Sequence, residues 1–151
     1  MKQMLIVIFA VVSLFTGLAS SEQGVPVVRG NTDSTSNQMR IKIGSTTFTA
    51  TLSDIDTATA FKGMLPMTVK MSELNGNEKY FDLAVNLPTN ASNPKTIQSG
   101  DLMIYGSNTL VLFYKTFSIS YSYTRLGRIN DANGLAAAVG SGSVTVTFEL
   151  Q

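Results

Sequence analysis

Three sets of side chains in this sequence have the types and spacing to do chemistry. Ile119, Tyr121, Tyr123 and Arg125 recur at every second position, with Ser118, Ser120, Ser122 and Thr124 between them. On an extended strand that spacing gathers both tyrosines and the arginine on one face. Such a face makes an aromatic surface with a cationic rim, suited to a peptide or a small carboxylate. Its alternative is a pair of rings that fill or cover the end of a core. Arg128 follows at the strand end, where it would hold an anion bidentately or pair with Glu73, Glu78 or Asp101. Glu73, Glu78 and Asp82 flank the Asn75-Gly76 turn. Paired carboxylates do acid–base work only when their surroundings split their pKa values, and a turn is ordinarily solvated.

Met64, Met67, Met71 and Met103 form an apolar set that would line an adaptable groove or fill a core. The chain has no histidine and no cysteine. The usual general base and the commonest zinc and copper ligands are therefore missing, and no disulfide staples the fold. No nucleophile–base pair or phosphate loop occurs, so no catalytic residue, metal or cofactor is assigned.

The N-terminus points to export. Lys2 precedes an apolar run from Met4 to Phe15, and Gly17-Leu18-Ala19 supplies small residues at cleavage positions. The run is about a dozen residues, short of the roughly 20 that span hydrocarbon. Residues 1–21 read as a cleaved signal peptide, which makes the protein periplasmic or secreted. Cleavage removes Lys2 and no acid, leaving ten basic and ten acidic side chains. Formal neutrality argues against nucleic acid and against a membrane partner after cleavage. Oligomeric state has no signature.

Residues 22–38 are polar and without periodicity, and read as a disordered linker. Residues 39–151 behave as one domain. Met39, Ile41 and Ile43 alternate with Arg40 and Lys42, and Gly44-Ser45 turns them into Phe48, Ala50 and Leu52, which predicts a hairpin. Asp54 or Asp56 caps a short helix from Thr57 to Met64, and Pro66 forbids its continuation. Met67, Val69 and Met71 predict another strand. Lys79 to Asn93 reads as an irregular loop anchored by Tyr80 and Phe81. Strands follow over Leu102–Tyr105, Thr109–Tyr114 and Phe117–Leu126. Asp131 or Asn133 caps a helix from Gly134 to Val139, and Val144 to Leu150 alternates as the last strand. Seven or eight short strands with two short helices favour a closed barrel.

Thr57-Ala58-Thr59-Ala60-Phe61, following the first hairpin, resembles the T-A-x-x-F helix of cyclophilins. LNGNEKY (74–80), LPTN (87–90), SGDLMIYG (99–106), LVLFYK (110–115), SYSYTRLGRI (120–129) and GLAAAVGSG (134–142) look like the bacterial cyclophilin-like domain family. The resemblance covers Met39 to Leu150 and implies a mainly β fold, an eight-stranded barrel closed by two helices. Cyclophilins isomerise X-Pro bonds with an arginine on the strand after the first helix. Here that strand reads Pro66-Met-Thr-Val-Lys-Met-Ser72 and has none. The expected role is thus a non-catalytic binding module for a peptide or small molecule. Its pocket would be lined by aromatics and methionine near Phe113, Tyr121, Tyr123, Arg125 and Arg128. One alternative is a weak prolyl isomerase using Arg125 or Arg128. Another is a small-amide hydrolase, since barrels of this shape occur within amide-hydrolysing enzymes.

Overall fold

The computed structural model describes residues 36–151. The expected signal peptide, and the expected linker as far as residue 35, lie outside the described residues. β1 (Gln38–Ile43) buries Met39, Ile41 and Ile43 and exposes Arg40 and Lys42, as its alternation predicts. It starts at Gln38, one residue before the boundary read from the sequence. A turn through Gly44 leads to β2 (Thr46–Leu52), which turns Phe48, Ala50 and Leu52 inward. Helix α1 (Asp56–Lys62) differs at its cap. Ile55 takes the N-cap position without a side-chain hydrogen bond, so Asp56 lies in the first turn, where the helix dipole favours its charge.

β3 (Met67–Leu74) and β4 (Glu78–Asp82) pair across the Asn75-Gly76 turn, both of whose residues have positive φ. β4 replaces the expected start of an irregular loop. Its alternation is carried by Glu78, Tyr80 and Asp82 on one face and Lys79 and Phe81 on the other. Charged residues therefore hide its period from a hydropathy reading. The irregular stretch runs only from Leu83 to β5 (Thr96–Ile97). β6 (Asp101–Tyr105) and β7 (Thr109–Phe113) are buried on both faces over most of their length, which the continuous apolar run of Thr109–Tyr114 predicts for β7.

The expected strand Phe117–Leu126 is in fact two. β8 (Phe117–Ser118) pairs only with β5, and β9 (Thr124–Ile129) belongs to the barrel. Between them the chain is irregular, with Tyr123 bridging to Ser92. A Ser/aromatic alternation imitates a strand, yet residues 119–122 have no neighbouring strand to pair with. Helix α2 (Leu135–Val139) has Gly134 at its N-cap, at φ 82°, rather than Asp131 or Asn133. Asp131 instead accepts the Asn133 amide at 3.0 Å. β10 (Val144–Leu150) buries Val146 and Phe148 as expected.

The barrel closes in the order β1-β10-β3-β4-β7-β6-β9-β2, all antiparallel, with β5-β8 as a separate ribbon. The interior is one apolar cluster that includes Phe61 of α1, edge-on to Phe148 at 6.0 Å, and Leu135 and Val139 of α2. A second cluster lies outside the barrel wall. Val111 and Phe113 of β7 and Met103 of β6 point outward there, under Ile97, Phe117, Ile119 and Tyr123. This outer cluster is the floor of the candidate site.

Candidate functional site

β4, β7 and β6 are neighbours in the barrel, and their outward side chains make a platform. Glu78, Tyr80 and Asp82 come from β4, Thr109 and Val111 from β7, and Tyr105 from the end of β6. The chain from Phe117 to Tyr123 passes over this platform and leaves a cavity of about 600 Å³ beneath it. That volume falls within the roughly 300–1,000 Å³ of small-ligand sites. The roof is held by backbone bonds to the long loop. Ser92 and Tyr123 exchange two hydrogen bonds at 3.0 Å, and the Ile119 amide donates to the Lys95 carbonyl at 2.9 Å. The Asn93 amide group donates to the Ser120 carbonyl at 3.1 Å.

Aromatic rings dominate one side. Tyr105 lies 6.4 Å from Tyr121 and 5.5 Å from Tyr123, and Tyr123 stands edge-on to Phe113 at 5.5 Å. Phe113 is fully buried behind the wall and braces Phe117 at 5.7 Å. Tyr121 and Tyr105 remain 61% and 48% exposed, so their faces are open to a ligand, while Tyr123 is buried. Burial, and after it the charge of Glu78, pushes the Tyr123 hydroxyl up to about 12.

The polar side of the cavity is acidic. Glu78 is only 8% exposed, and among the described residues no group donates a hydrogen bond to its carboxylate. Burial, and then the negative charge of Glu73, raises its pKa above the ordinary carboxylate value. Asn77 lines the same end and leaves its Oδ1 buried without a hydrogen-bond partner. Asp82, on the far end of β4, is exposed and accepts from the Thr109 hydroxyl at 2.7 Å. No lysine or arginine is among the lining residues.

A family model described as the Cyclophilin-like family matches residues 41–149. The chain belongs to the Cyclophilin-like family. A solved structure with the same fold is the solution structure of a hypothetical protein from Archaeoglobus fulgidus. Its TM-score is 0.56 at 19% identity, over 77% of this chain and 95% of that one. At that identity the likeness shows the fold alone. No curated protein matches the chain.

Within this cyclophilin-like barrel, the residues read as one aromatic–cationic face fall into two places. Tyr121 and Tyr123 line the cavity, and Phe113 supports it from behind. Arg125 and Arg128 border a separate, shallow cleft beside Thr51 to Ser53. Both clamp the fully buried carboxylate of Asp101, Arg128 Nε at 2.7 Å and Arg125 at 3.1 Å from the same Oδ1, while Oδ2 accepts the Gln98 amide at 2.8 Å. Residues three apart on a strand ordinarily face opposite ways. Here the pairing slips, from Leu102 opposite Gly127 to Met103 opposite Arg125, and the bulge turns both arginines to one side. Gly127 is obligatory at this bulge, because a Cβ would meet the Thr51 carbonyl at 2.5 Å.

The other expected contributors also fall elsewhere. Met71 is part of the barrel core, Met64 and Met67 pack against it, and Met103 lies beneath the outer cluster. None of the four methionines lines the cavity. The three acids of the β3–β4 hairpin separate as well. Glu78 and Asp82 face the cavity, whereas Glu73 turns to the barrel end, where it pairs with Lys79 and accepts from the Tyr114 hydroxyl at 2.6 Å. Burial raises the Glu73 pKa, but the bonds from Lys79 and Tyr114 outweigh it and hold the carboxyl below the ordinary value. Tyr80, Tyr105 and Phe117 are cavity residues that the pattern reading does not reach. Tyr105 ends a strand next to a turn, where nothing in the sequence marks it as facing Tyr121.

Proposed function

We propose that this protein is a binding module that takes a small molecule or a peptide side chain in the cavity over β4, β7 and β6. The observation that carries the reading is a cavity of about 600 Å³ with open tyrosine faces on one side and, on the other, the Glu78 carboxylate without a donor among the described residues. Phe113, Tyr121 and Tyr123 of the expected set serve this site, and Tyr80, Tyr105 and Phe117 join them.

The isomerase alternative needs an arginine donating to the prolyl nitrogen over an apolar seat. Arg125 and Arg128 instead share Asp101 at a different cleft, and β3 carries no arginine. A small-amide hydrolase would need an activated nucleophile; the hydroxyl–carboxylate contact in the cavity, Thr109 to Asp82 at 2.7 Å, lies at its exposed end, and the chain has no histidine to relay the proton. Export is part of the same proposal, supported by Lys2, the Met4–Phe15 run and the small residues at Gly17 and Ala19.

Titration of the full chain by NMR with cationic, neutral and anionic small molecules and peptides tests the binding reading. At least one class should give saturable shifts confined to Tyr105, Val111, Tyr121 and Tyr123. A protease-coupled assay on an X-Pro peptide should show no rate above the uncatalysed background of tens to hundreds of seconds. Acceleration abolished by Arg125→Ala or Arg128→Ala would replace this reading with the isomerase.

A further inference from the structure

The cavity's own inventory narrows the ligand. The Glu78 carboxylate, on a residue only 8% exposed, keeps contact with the cavity and accepts no hydrogen bond among the described residues. The cavity's charged lining groups, Glu78 and Asp82, are both acids, and its walls include four tyrosine rings from Tyr80, Tyr105, Tyr121 and Tyr123. We propose that the cavity binds an organic cation carrying N–H groups, an alkylammonium or guanidinium head, with its charge on Glu78 and its flank against Tyr105, Tyr121 and Tyr123. The proposal rests on the binding-module reading and adds the chemistry of the ligand.

Each other ligand class meets a physical obstacle. An anion would face two carboxylates and find no lysine or arginine in the lining. A purely apolar guest would seal the Glu78 carboxylate away from water without a donor, which is the expensive way to bury a polar group. A bare metal ion would need several oxygens converging on one point. Glu78 and Asp82 stand four residues apart on one strand, about 13 Å along it, too far to share an ion.

A cation with N–H donors removes each obstacle. The donors satisfy the carboxylate with charge-assisted hydrogen bonds, the strongest kind available. Aromatic faces attract the charge through their quadrupoles, and more strongly as water is excluded. The rings run from the Glu78 end of the cavity to the Asp82 end, where Tyr105 is in register with Thr109 and Thr109 with Asp82. Glu78 is in register with Phe113, Phe113 stands edge-on to Tyr123 at 5.5 Å, and Tyr123 leads through Tyr105 to the open ring of Tyr121. The titratable groups whose charge Glu78 senses or perturbs are Glu73, Tyr114 and Tyr123, and those that line the rest of the cavity are Asp82, Tyr80, Tyr105 and Tyr121. All are acids or phenols, so a cationic guest is the only positive charge the site would hold.

Calorimetry and NMR on the full chain at low salt test this with matched probes. Pentylammonium is compared with 1-hexanol, N-acetyl-lysine methylamide with its norleucine counterpart, and pentanoate serves as the anion. The charged member of each pair should bind at least about tenfold more tightly, the scale of one charge-assisted hydrogen bond. Its shifts should centre on Tyr105, Tyr121 and Tyr123. Glu78→Gln should bring the charged probe down to the level of the neutral one. Tyr121→Leu, at an exposed ring, should weaken the cation about threefold or more and 1-hexanol by less. Tighter binding of the lysine derivative than of pentylammonium would mark a peptide side chain as the source, and the reverse a free amine.

Equal affinity within the pairs, or preference for pentanoate, with shifts in the cavity would overturn the cation assignment and keep the binding module. Charge-selective binding untouched by Glu78→Gln and Tyr121→Leu would also overturn it, by placing the cation elsewhere. Failure of every probe and peptide to shift the cavity residues would overturn both readings.

Discussion

Glu78 and Lys79 are consecutive on β4, and the strand sends them to opposite sides of the barrel wall. Lys79 turns inward and is fully buried. There its ammonium is completely satisfied. It pairs with Glu73, donates to the Gly140 and Gly142 carbonyls at 2.8 and 2.6 Å, and lies 5.2 Å from the centre of the Tyr114 ring. These bonds tie the β3–β4 hairpin to the chain between α2 and β10. Glu78 turns outward, is almost as buried, and has no donor among the described residues. One buried charge is consumed by the fold. The other costs the fold something and is left facing a cavity. Burial alone does not mark a functional charge; burial without a partner does.

The largest effect should come from the satisfied side. Lys79→Met leaves two backbone carbonyls without a donor and Glu73 with only the Tyr114 hydroxyl and the Gly76 amide, and loss of one member of a buried ion pair costs up to about 3–5 kcal/mol. Urea denaturation should show a loss comparable to that of Phe148→Ala, which empties a fully buried ring site and costs about 3–5 kcal/mol as well. Ligand binding by any Lys79→Met protein that remains folded should be unchanged. An unaltered denaturation midpoint would erase the contrast between the two charges.

A smaller loss is expected at the Asp101 clamp. Both arginines reach it, and each is nearly half exposed, so solvent screens the pairs. Arg128→Ala leaves Asp101 with Arg125 and the Gln98 amide and should cost about 1 kcal/mol. If the clamp is structural, the variant loses stability and binds the cavity ligand normally. Weakened cavity binding with full stability would return the arginine to the recognition site.

The barrel is legible in the sequence because its strands carry their period on apolar residues. Met39, Ile41 and Ile43, or Val146 and Phe148, can face only one way. The closed topology then follows from the number of short strands and the cyclophilin-like segments. The site is legible only in its aromatic half. Tyr121 and Tyr123 stand out, but their shared strand does not exist, and the continuation of that face to Arg125 fails at residues 119–122. The acidic half is hidden because β4 alternates charged with charged. Nothing local tells Glu78 from Lys79, and each is decided by what lies across the wall. Likewise, the convergence of Arg125 and Arg128 depends on a bulge that leaves no mark on hydropathy beyond a single glycine.

The smallest effect is also the one that separates the two charges most directly, because it has the opposite sign. The Glu78 pKa is raised by burial and by Glu73, so the folded state holds this proton more tightly than the unfolded chain does. Stability attributable to Glu78 is therefore greatest below the ordinary carboxylate pKa. It falls as pH rises through the raised value and stays low above it. Glu73 behaves inversely. Its pKa is lowered, so its contribution is present above the ordinary value and is lost as pH falls through the lowered one. Glu78→Gln should then be neutral or stabilising at pH 7 by up to about 1 kcal/mol, with the gain over wild type fading in acid. Glu73→Gln should be destabilising at pH 7, with its deficit fading in acid instead. Denaturation midpoints of both variants across pH 3–8 read the two signs side by side. A bound alkylammonium should cancel the Glu78 penalty, so pentylammonium at a fixed concentration should stabilise wild type more than Glu78→Gln. Equal stabilisation of both proteins would show that the carboxylate is not where the charge is met.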